Sequence, residues 1–262
     1  MNFDNDINNN IQFLAKSEIR LKILSELYTQ PNTVRGIVDL TKITYSSVSS
    51  NISKLEKNNY LKKIKNNYQV TSIAEVYFKT LMDFKNSANL IDEYSAFWNK
   101  HNLKQLSLDS MRTITDLKDS ELIETTPLDI YKTHNIIKDQ LIESTNMKAI
   151  FPYLHPDYPG IIETILGNDG HVEIIIPKLI SKELISNIDP VLKKNSIKEN
   201  KLKIYSVQKD LELYLTICEN NMSLGLFKND GSFDQNRILI SDNPHSKNWA
   251  EPLFEHVKKQ VI

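Results

Sequence analysis

Ile37-Val38-Asp39-Leu40-Thr41-Lys42-Ile43-Thr44-Tyr45-Ser46-Ser47-Val48-Ser49-Ser50-Asn51-Ile52-Ser53-Lys54-Leu55-Glu56 is the stretch whose reading decides the fold of the front of this chain. Val48, Ile52 and Leu55 recur at steps of four and three, so the spacing predicts a helix from about Tyr45 to Lys57 with one narrow apolar stripe. Its other face carries Tyr45, Ser46, Ser47, Ser49, Ser50, Asn51, Ser53 and Lys54. Serine is a mediocre helix former, and a merely solvated helix is better served by Glu and Lys. Short hydroxyls and an amide suit a surface that must come close to a duplex and bond to it.

Working outward, Thr44 is placed to cap this helix, and Thr33 to start the one before it, which carries Val34, Ile37, Val38 and Leu40 and ends near Thr41-Lys42. An earlier helix starts at Ser17, with Glu18 in its first turn and Ile19, Ile23, Leu24, Leu27 and Tyr28 on one side, and stops at Gln30-Pro31-Asn32. A weaker helix, Ile11 to Ala15, precedes it. Downstream, Asn58-Asn59 fits a helix end because Asn tolerates the left-handed conformation. Leu61–Ile64 and Tyr68–Val70 read as strands joined by Lys65-Asn66-Asn67, and Thr71 caps a further helix bearing Ile73, Val76, Tyr77 and Leu81.

Helix, helix, polar third helix and basic hairpin is the order of a winged helix-turn-helix, with a major-groove helix and a backbone-contacting wing. From Thr33 to Lys65 there are 7 basic and 2 acidic residues. The residues expected to meet double-stranded DNA are Arg35, Thr44, Tyr45, Ser46, Ser47, Ser50, Asn51, Lys54, Lys63, Lys65, Asn66 and Asn67. Of these, Ser46, Ser47, Ser50 and Asn51 are expected to face bases, and Lys54 and Lys65 to hold phosphates. A winged helix used for protein contacts remains open beside this reading. The run Ile37 to Glu56 resembles the core of ArsR- and MarR-like winged-helix regulators, over about 70 residues in all. It has Asn58-Asn59 where those proteins usually have Gly before the wing.

Composition sets outer bounds. The 262 residues carry a net charge of −1, but residues 1–80 hold 11 Lys/Arg against 7 Asp/Glu while residues 81–262 hold 21 against 26. Only the front half is thereby suited to a polyanion. One cysteine, Cys218, excludes an internal disulfide framework and is expected in a core. Met1 to Asn10 has neither a basic start nor an apolar run, so it does not read as a secretory signal, and no stretch is apolar enough for a bilayer. A cytoplasmic protein is expected.

Behind the winged helix, Leu81, Phe84, Ala88, Ile91 and Trp98, widened by Tyr94 and Phe97, continue a helical stripe to His101. It serves equally as a dimerising helix or as a helix packed on its own back domain. Leu106 to Ile123, with Met111, Ile114 and Leu117, reads as more helix. From Thr126 helices and strands alternate. Pro127 opens a helix to Ser144, Met147–Leu154 is a strand, and Pro159-Gly160 opens a helix to Leu166. His171–Pro177 is a strand, and Ser181 caps a helix interrupted at Pro190. Lys201–Val207, Leu211–Cys218, Met222–Phe227 and Arg237–Ser241 are strands, Asn229-Asp230-Gly231 is a turn, and Asn248–Ile262 closes the chain as a helix. This order implies an α/β sheet with crossovers.

Met222-Ser223-Leu224-Gly225-Leu226-Phe227, Asp230-Gly231-Ser232-Phe233-Asp234, Ser241-Asp242 and Trp249-Ala250-Glu251-Pro252-Leu253-Phe254 resemble the C-terminal domain of archaeal FilR-type methanogenesis regulators. Ala250 departs from the Gly of that pattern. The resemblance spans nearly the whole chain, since those proteins also carry an N-terminal winged helix. It implies an archaeal transcription regulator whose back domain is distantly like a phospholipase D-type fold without the catalytic apparatus. Phospholipase D chemistry needs His-x-Lys-x4-Asp twice, so that one His attacks phosphorus while the other protonates the leaving group. His245-Ser246-Lys247 supplies half of one copy, and Pro252 stands where the Asp is needed.

A phosphodiester-processing enzyme is thus the weaker alternative, and no catalytic residue is assigned. The six His show no ligand spacing, so neither a metal site nor a cofactor is expected. Ligands bind at the C-terminal ends of strands in α/β sheets, which makes Tyr153, His155, Pro177 and Lys178 candidates for an effector pocket; His245, Lys247 and Trp249 are separate candidates for ligand contact. The expected organisation is α+β to α/β: residues 1–80 as a DNA-binding winged helix, 81–125 as a helical connector and 126–262 as an α/β regulatory domain. The expected assembly is a homodimer with an unidentified small-molecule effector.

Overall fold

The computed structural model describes residues 9–261; residues 1–8 and 262 lie outside the described residues, and with them most of the Asn- and Asp-rich start. The chain divides into two compact units, a head ending at Ala88 and a back unit beginning at Asn89.

In the head, α1 (Asn9–Ala15) leads through Ser17 into α2 (Glu18–Thr29), the Ser17 hydroxyl accepting the Arg20 amide at 3.3 Å. α3 (Val34–Thr41) starts from Thr33, whose hydroxyl accepts the Gly36 amide at 3.1 Å, and ends at Lys42, which is left-handed (φ 59°). α4 (Tyr45–Lys57) buries Val48, Ile52 and Leu55, as the spacing requires. These pack with Ile23, Leu24, Leu27 and Ile37 in a single core, each contributing about 1.5–3 kcal/mol on burial. Leu40, assigned by periodicity to that core, is instead 53% exposed. Thr44 precedes α4 in extended conformation but caps no backbone amide; its hydroxyl donates to Ser47 Oγ at 3.0 Å.

Asn59 (φ 60°) takes the left-handed conformation that Asn tolerates and turns the chain into β1 (Leu61–Ile64) and β2 (Asn67–Val70). Ile64 pairs with Asn67, so the turn is Lys65-Asn66 alone, one residue shorter than the sequence indicates. Lys65 supplies the positive φ (56°) that so tight a turn needs. α5 (Ser72–Glu93) is capped by Thr71, whose Oγ1 accepts the Ala74 amide at 3.3 Å. It buries Ala74 and Phe78, not Ile73 and Val76, which are 57% and 66% exposed. Ile73, Val76 and Phe84 face outward, whereas Tyr77 and Leu81 of the same stripe are half-buried against the head core.

α5 crosses the boundary between the units. Leu90, Tyr94, Phe97 and Trp98, the last three at or within α6 (Ser95–Lys100), belong to the core of the back unit, as do Leu106, Ile114 and Leu117. The stretch expected as continuous helix to Ile123 breaks into α7 (Leu108–Arg112), a 3₁₀ turn (Ile114–Leu117) and a strand, β3 (Glu121–Glu124). Residues 126–131 form turns, so the helix expected from Pro127 begins later, as α8 (Lys132–Ile142). β4 (Asn146–Ile150) is shorter than the apolar run predicts and leads through a loop to α9 (Tyr158–Gly167).

β5 (His171–Pro177) precedes α10 (Lys178–Ser186), which starts ahead of Ser181; Ser181 is buried and its hydroxyl donates to the Lys178 carbonyl. Pro190 opens α11 (Pro190–Lys198), with the Asp189 carboxylate accepting two amides at its start. Then follow β6 (Leu202–Val207), β7 (Leu213–Ile217), β8 (Met222–Leu226), β9 (Arg237–Ser241) and α12 (Pro244–Val261).

The sheet runs β3-β9-β8-β7-β4-β5-β6. β4, β5 and β6 are parallel, joined by helical crossovers; β7, β8, β9 and β3 are antiparallel. It is therefore a mixed sheet, and the alternation of helix and strand holds in only half of it. Both faces are covered. Leu213, Leu215 and Ile217 of β7 point to the core shared with α12, whereas Tyr214 and Cys218 point to the core under α8 and α9. Burial pushes the Cys218 thiol up to about 11, so it is a neutral core side chain. No helix among the described residues is long and apolar enough to cross a membrane.

Candidate nucleic-acid interface and effector pocket

With Val48, Ile52 and Leu55 against the head core, helical geometry turns Ser46, Ser50, Ser53, Lys54 and Lys57 outward, and all five are exposed. Tyr45 and Thr44 stand exposed at the start of α4, Ser47 half-buried beside them. Arg35, Lys62, Lys63, Lys65, Asn66 and Asn67 are exposed as well. Lys63 lies over the Tyr68 ring, 5.5 Å from its centroid. Among the described residues, the only ion pair of the head is Lys22–Glu18. Among the described residues of the head, the cations of α3, α4 and the wing thus have no carboxylate partner. The two lysines in the last turn of α4 also sit where its dipole is negative.

Asn51, expected to face bases, is also tied into the head. It is half-buried, its amide donates to the Ser47 carbonyl at 2.9 Å, and its Oδ1 accepts from Arg20 Nη1 at 3.4 Å. Arg20 itself stacks 4.3 Å from the Phe13 ring centroid and donates to the Phe13 carbonyl at 2.7 Å. Sequence spacing missed Arg20; its link to Asn51 crosses from α2 to α4 over 31 residues.

In the back unit, the loop after β4 brings Tyr153 and His155 to a pocket of about 400 Å³ walled by Phe233, His134 and Arg237. The position follows from the topology. After β4 the chain moves to β5 and β6 and then returns to β7 on the other side of β4, and such switch points leave a crevice at the strand's C-terminal end. Tyr153 packs on Phe233 with centroids 4.9 Å apart, and burial pushes its phenol pKa up.

At the same pocket the rings of His134 and His155 stack at 3.7 Å. Asp157 accepts from Lys138 Nζ at 2.8 Å and from His134 Nε2 at 3.1 Å, and these two, Lys138 foremost, hold its carboxyl down at about 2. The Asp157 amide donates to His155 Nδ1 at 3.2 Å. Burial, with His134 second, lowers the His155 pKa.

The remaining ligand candidates lie elsewhere. Pro177 and Lys178 line a separate groove with Gln208 and Asp210. His245 is exposed in the first turn of α12, where its amide donates to Asn243 Oδ1, and Lys247 donates to the Glu219 carbonyl. Trp249 is 2% exposed and its Nε1 donates to the Ser110 carbonyl at 2.7 Å, so it is a core residue and not a ligand contact.

Residues 130–260 match the family described as the middle domain of the methanogenesis regulatory protein FilR1, and residues 17–63 match the bacterial regulatory protein arsR family. The methanogenesis regulatory protein FilR1 of Methanothrix harundinacea is 20% identical over 256 residues, which are 97% of this chain and 57% of that protein. The chain thus spans little more than half of that relative's length. Among solved structures, TrmBL2, an archaeal chromatin protein with a novel mode of DNA binding, is 12% identical and covered to 97% on both sides, with a TM-score of 0.43. HmgR of Pseudomonas aeruginosa is 10% identical, with 95% of this chain and 98% of that one covered and a TM-score of 0.26. Both scores are too low to establish a common overall fold.

Proposed function

We propose that this chain, which belongs to the family of the methanogenesis regulatory protein FilR1 middle domain, is a sequence-specific DNA-binding transcriptional regulator that acts by binding and not by catalysis. The observation that carries the reading is the uncompensated face of the head. The hydroxyls of Ser46 and Ser50 project from α4 between lysines that have no carboxylate partner among the described residues. α4 lies along the major groove, with Ser46, Ser47 and Ser50 toward base edges. Arg35, Lys54, Lys57, Lys63 and Lys65 meet phosphates on either side. The match of residues 17–63 to a regulatory helix-turn-helix family supports this.

In this reading residues 1–80 bind DNA, α5 and the segment to residue 125 link and dimerise, and 126–262 sense an effector in the pocket after β4. The outward stripe of α5 is the dimer surface. Ile73, Val76, Tyr77, Leu81 and Phe84 line an apolar groove of about 650 Å³ in the head, and a two-fold operator asks for a two-fold protein. A distantly phospholipase D-like back domain gains no support: one His-x-Lys half lies on α12, with Pro252 in the acid's place. The cytoplasm is where such a regulator would act.

Salt-titrated duplex binding tests the proposal. Affinity should fall steeply as salt rises, with a slope set by several phosphate contacts. An affinity that ignores salt would favour the protein-interaction reading.

A further inference from the structure

We propose that His134, His155 and Asp157 form an exchangeable site for a first-row transition-metal dication of the zinc(II) or cobalt(II) kind at the mouth of the pocket after β4. This deepens the effector reading of that pocket and rests on it.

The donor atoms lie within 4.8 Å of one another, a spacing that side-chain rotation closes. His134 Nε2 and Asp157 Oδ2 are already 3.1 Å apart. Two ligands at metal distances of about 2.0–2.2 Å stand roughly 3.0–3.4 Å from each other around one ion, so the ion takes the place of the proton between them. Two imidazole nitrogens and one carboxylate oxygen select zinc, cobalt, nickel or iron over calcium or magnesium, which prefer oxygen alone. Three protein donors leave at least one position open to solvent or to a small ligand. The site is reachable, since the His134 and Asp157 side chains retain 22% and 33% of their exposure.

The same contacts explain why binding here is reversible. A dication must displace the Lys138 ammonium from Asp157, have the His134 proton shift from Nε2 to Nδ1 and replace the long contact from the Asp157 amide to His155. Lys138 is 39% exposed and can swing away. A permanent structural site has no such competitor. Asp157 precedes α9 and His134 stands near the start of α8, so the ion would tie these helices together at the pocket mouth.

The test uses the tag-free full-length protein titrated with cobalt(II) chloride, read by visible absorption and by metal analysis after dialysis. One equivalent should bind per chain. His155→Ala should weaken it more than about tenfold. Lys138→Met, which removes only the competing charge, should tighten it about tenfold. Asp157→Asn, isosteric, replaces His155→Ala if that variant fails to fold. No stoichiometric binding, or equal binding in the ligand variants, overturns the site. Duplex affinity of the metal-free protein is measured in parallel. Its loss would sink the regulator reading while leaving metal binding to stand or fall by itself.

Discussion

His101 and Asp234 stand 133 residues apart in sequence and 3.1 Å apart in the fold, both with fully buried side chains. The other ring nitrogen of His101 lies 2.5 Å from the Phe97 carbonyl. Both neighbours are oxygens placed to accept from the ring. The pair fastens the end of α6 to the connection between β8 and β9.

Acid should loosen this fastening. Burial raises the Asp234 pKa, but Arg237, the Asn236 amide, Lys228 and His101 outweigh it and hold the carboxyl below its usual value. A depressed native pKa means stability fully present above the unfolded value of about 3.9 and lost as pH falls through the lower native one. His101→Leu should lower back-unit stability by about 2–4 kcal/mol at neutral pH, since Asp234 keeps Arg237 but loses one partner. Urea unfolding against pH measures both effects. An unchanged midpoint in the variant would show the pair to be incidental.

The wing turn allows charge to be separated from conformation. Lys65 holds φ 56°, which a β-carbon disfavours by about 1–2 kcal/mol and glycine does not. Lys65→Gly and Lys65→Ala should weaken duplex binding equally and lower the salt slope by about 1. Lys65→Gly should be the more stable of the two by about 1 kcal/mol in thermal melts. Unequal duplex affinities would assign Lys65 a role in shaping the wing beyond its charge.

Phe84, 71% exposed on α5, should be worth more to the assembly than to the fold. Phe84→Glu should leave the melting temperature of the head within about 2 °C and halve the mass seen by sedimentation at micromolar concentration. A wild-type chain that sediments as a monomer, or a variant of unchanged mass, removes this face as the dimer surface.

The head was legible because its signals are local. Caps at Ser17, Thr33 and Thr71 and the stripe Val48-Ile52-Leu55 each lie within one helix. The outward stripe of α5 was not, since Ala74 and Phe78 compete with Ile73 and Val76 and periodicity cannot say which set meets a partner. Glu121–Glu124 reads as the end of a helical pattern, and only pairing with β9 makes it a strand. Pro127 signals a helix start, yet Thr126 and Asp129 close a turn there. The pocket was half legible. Tyr153 and His155 share one loop, but His134 comes from α8 and Phe233 from beyond β8, so no sequence spacing joins them. The surroundings of Asn51 were hidden for the same reason: Arg20, its partner, is on another helix.

The face of α4 can be charged without disturbing its core. Ser46→Glu/Ser50→Glu in the full-length protein, followed by fluorescence anisotropy on duplex DNA at about 50 mM salt, puts the central claim to the test. A folded protein is expected whose affinity for every duplex falls by more than about 100-fold, since two carboxylates would enter the negative potential of the groove between the phosphate backbones. A folded double variant that holds DNA as tightly as the unaltered chain would contradict that claim.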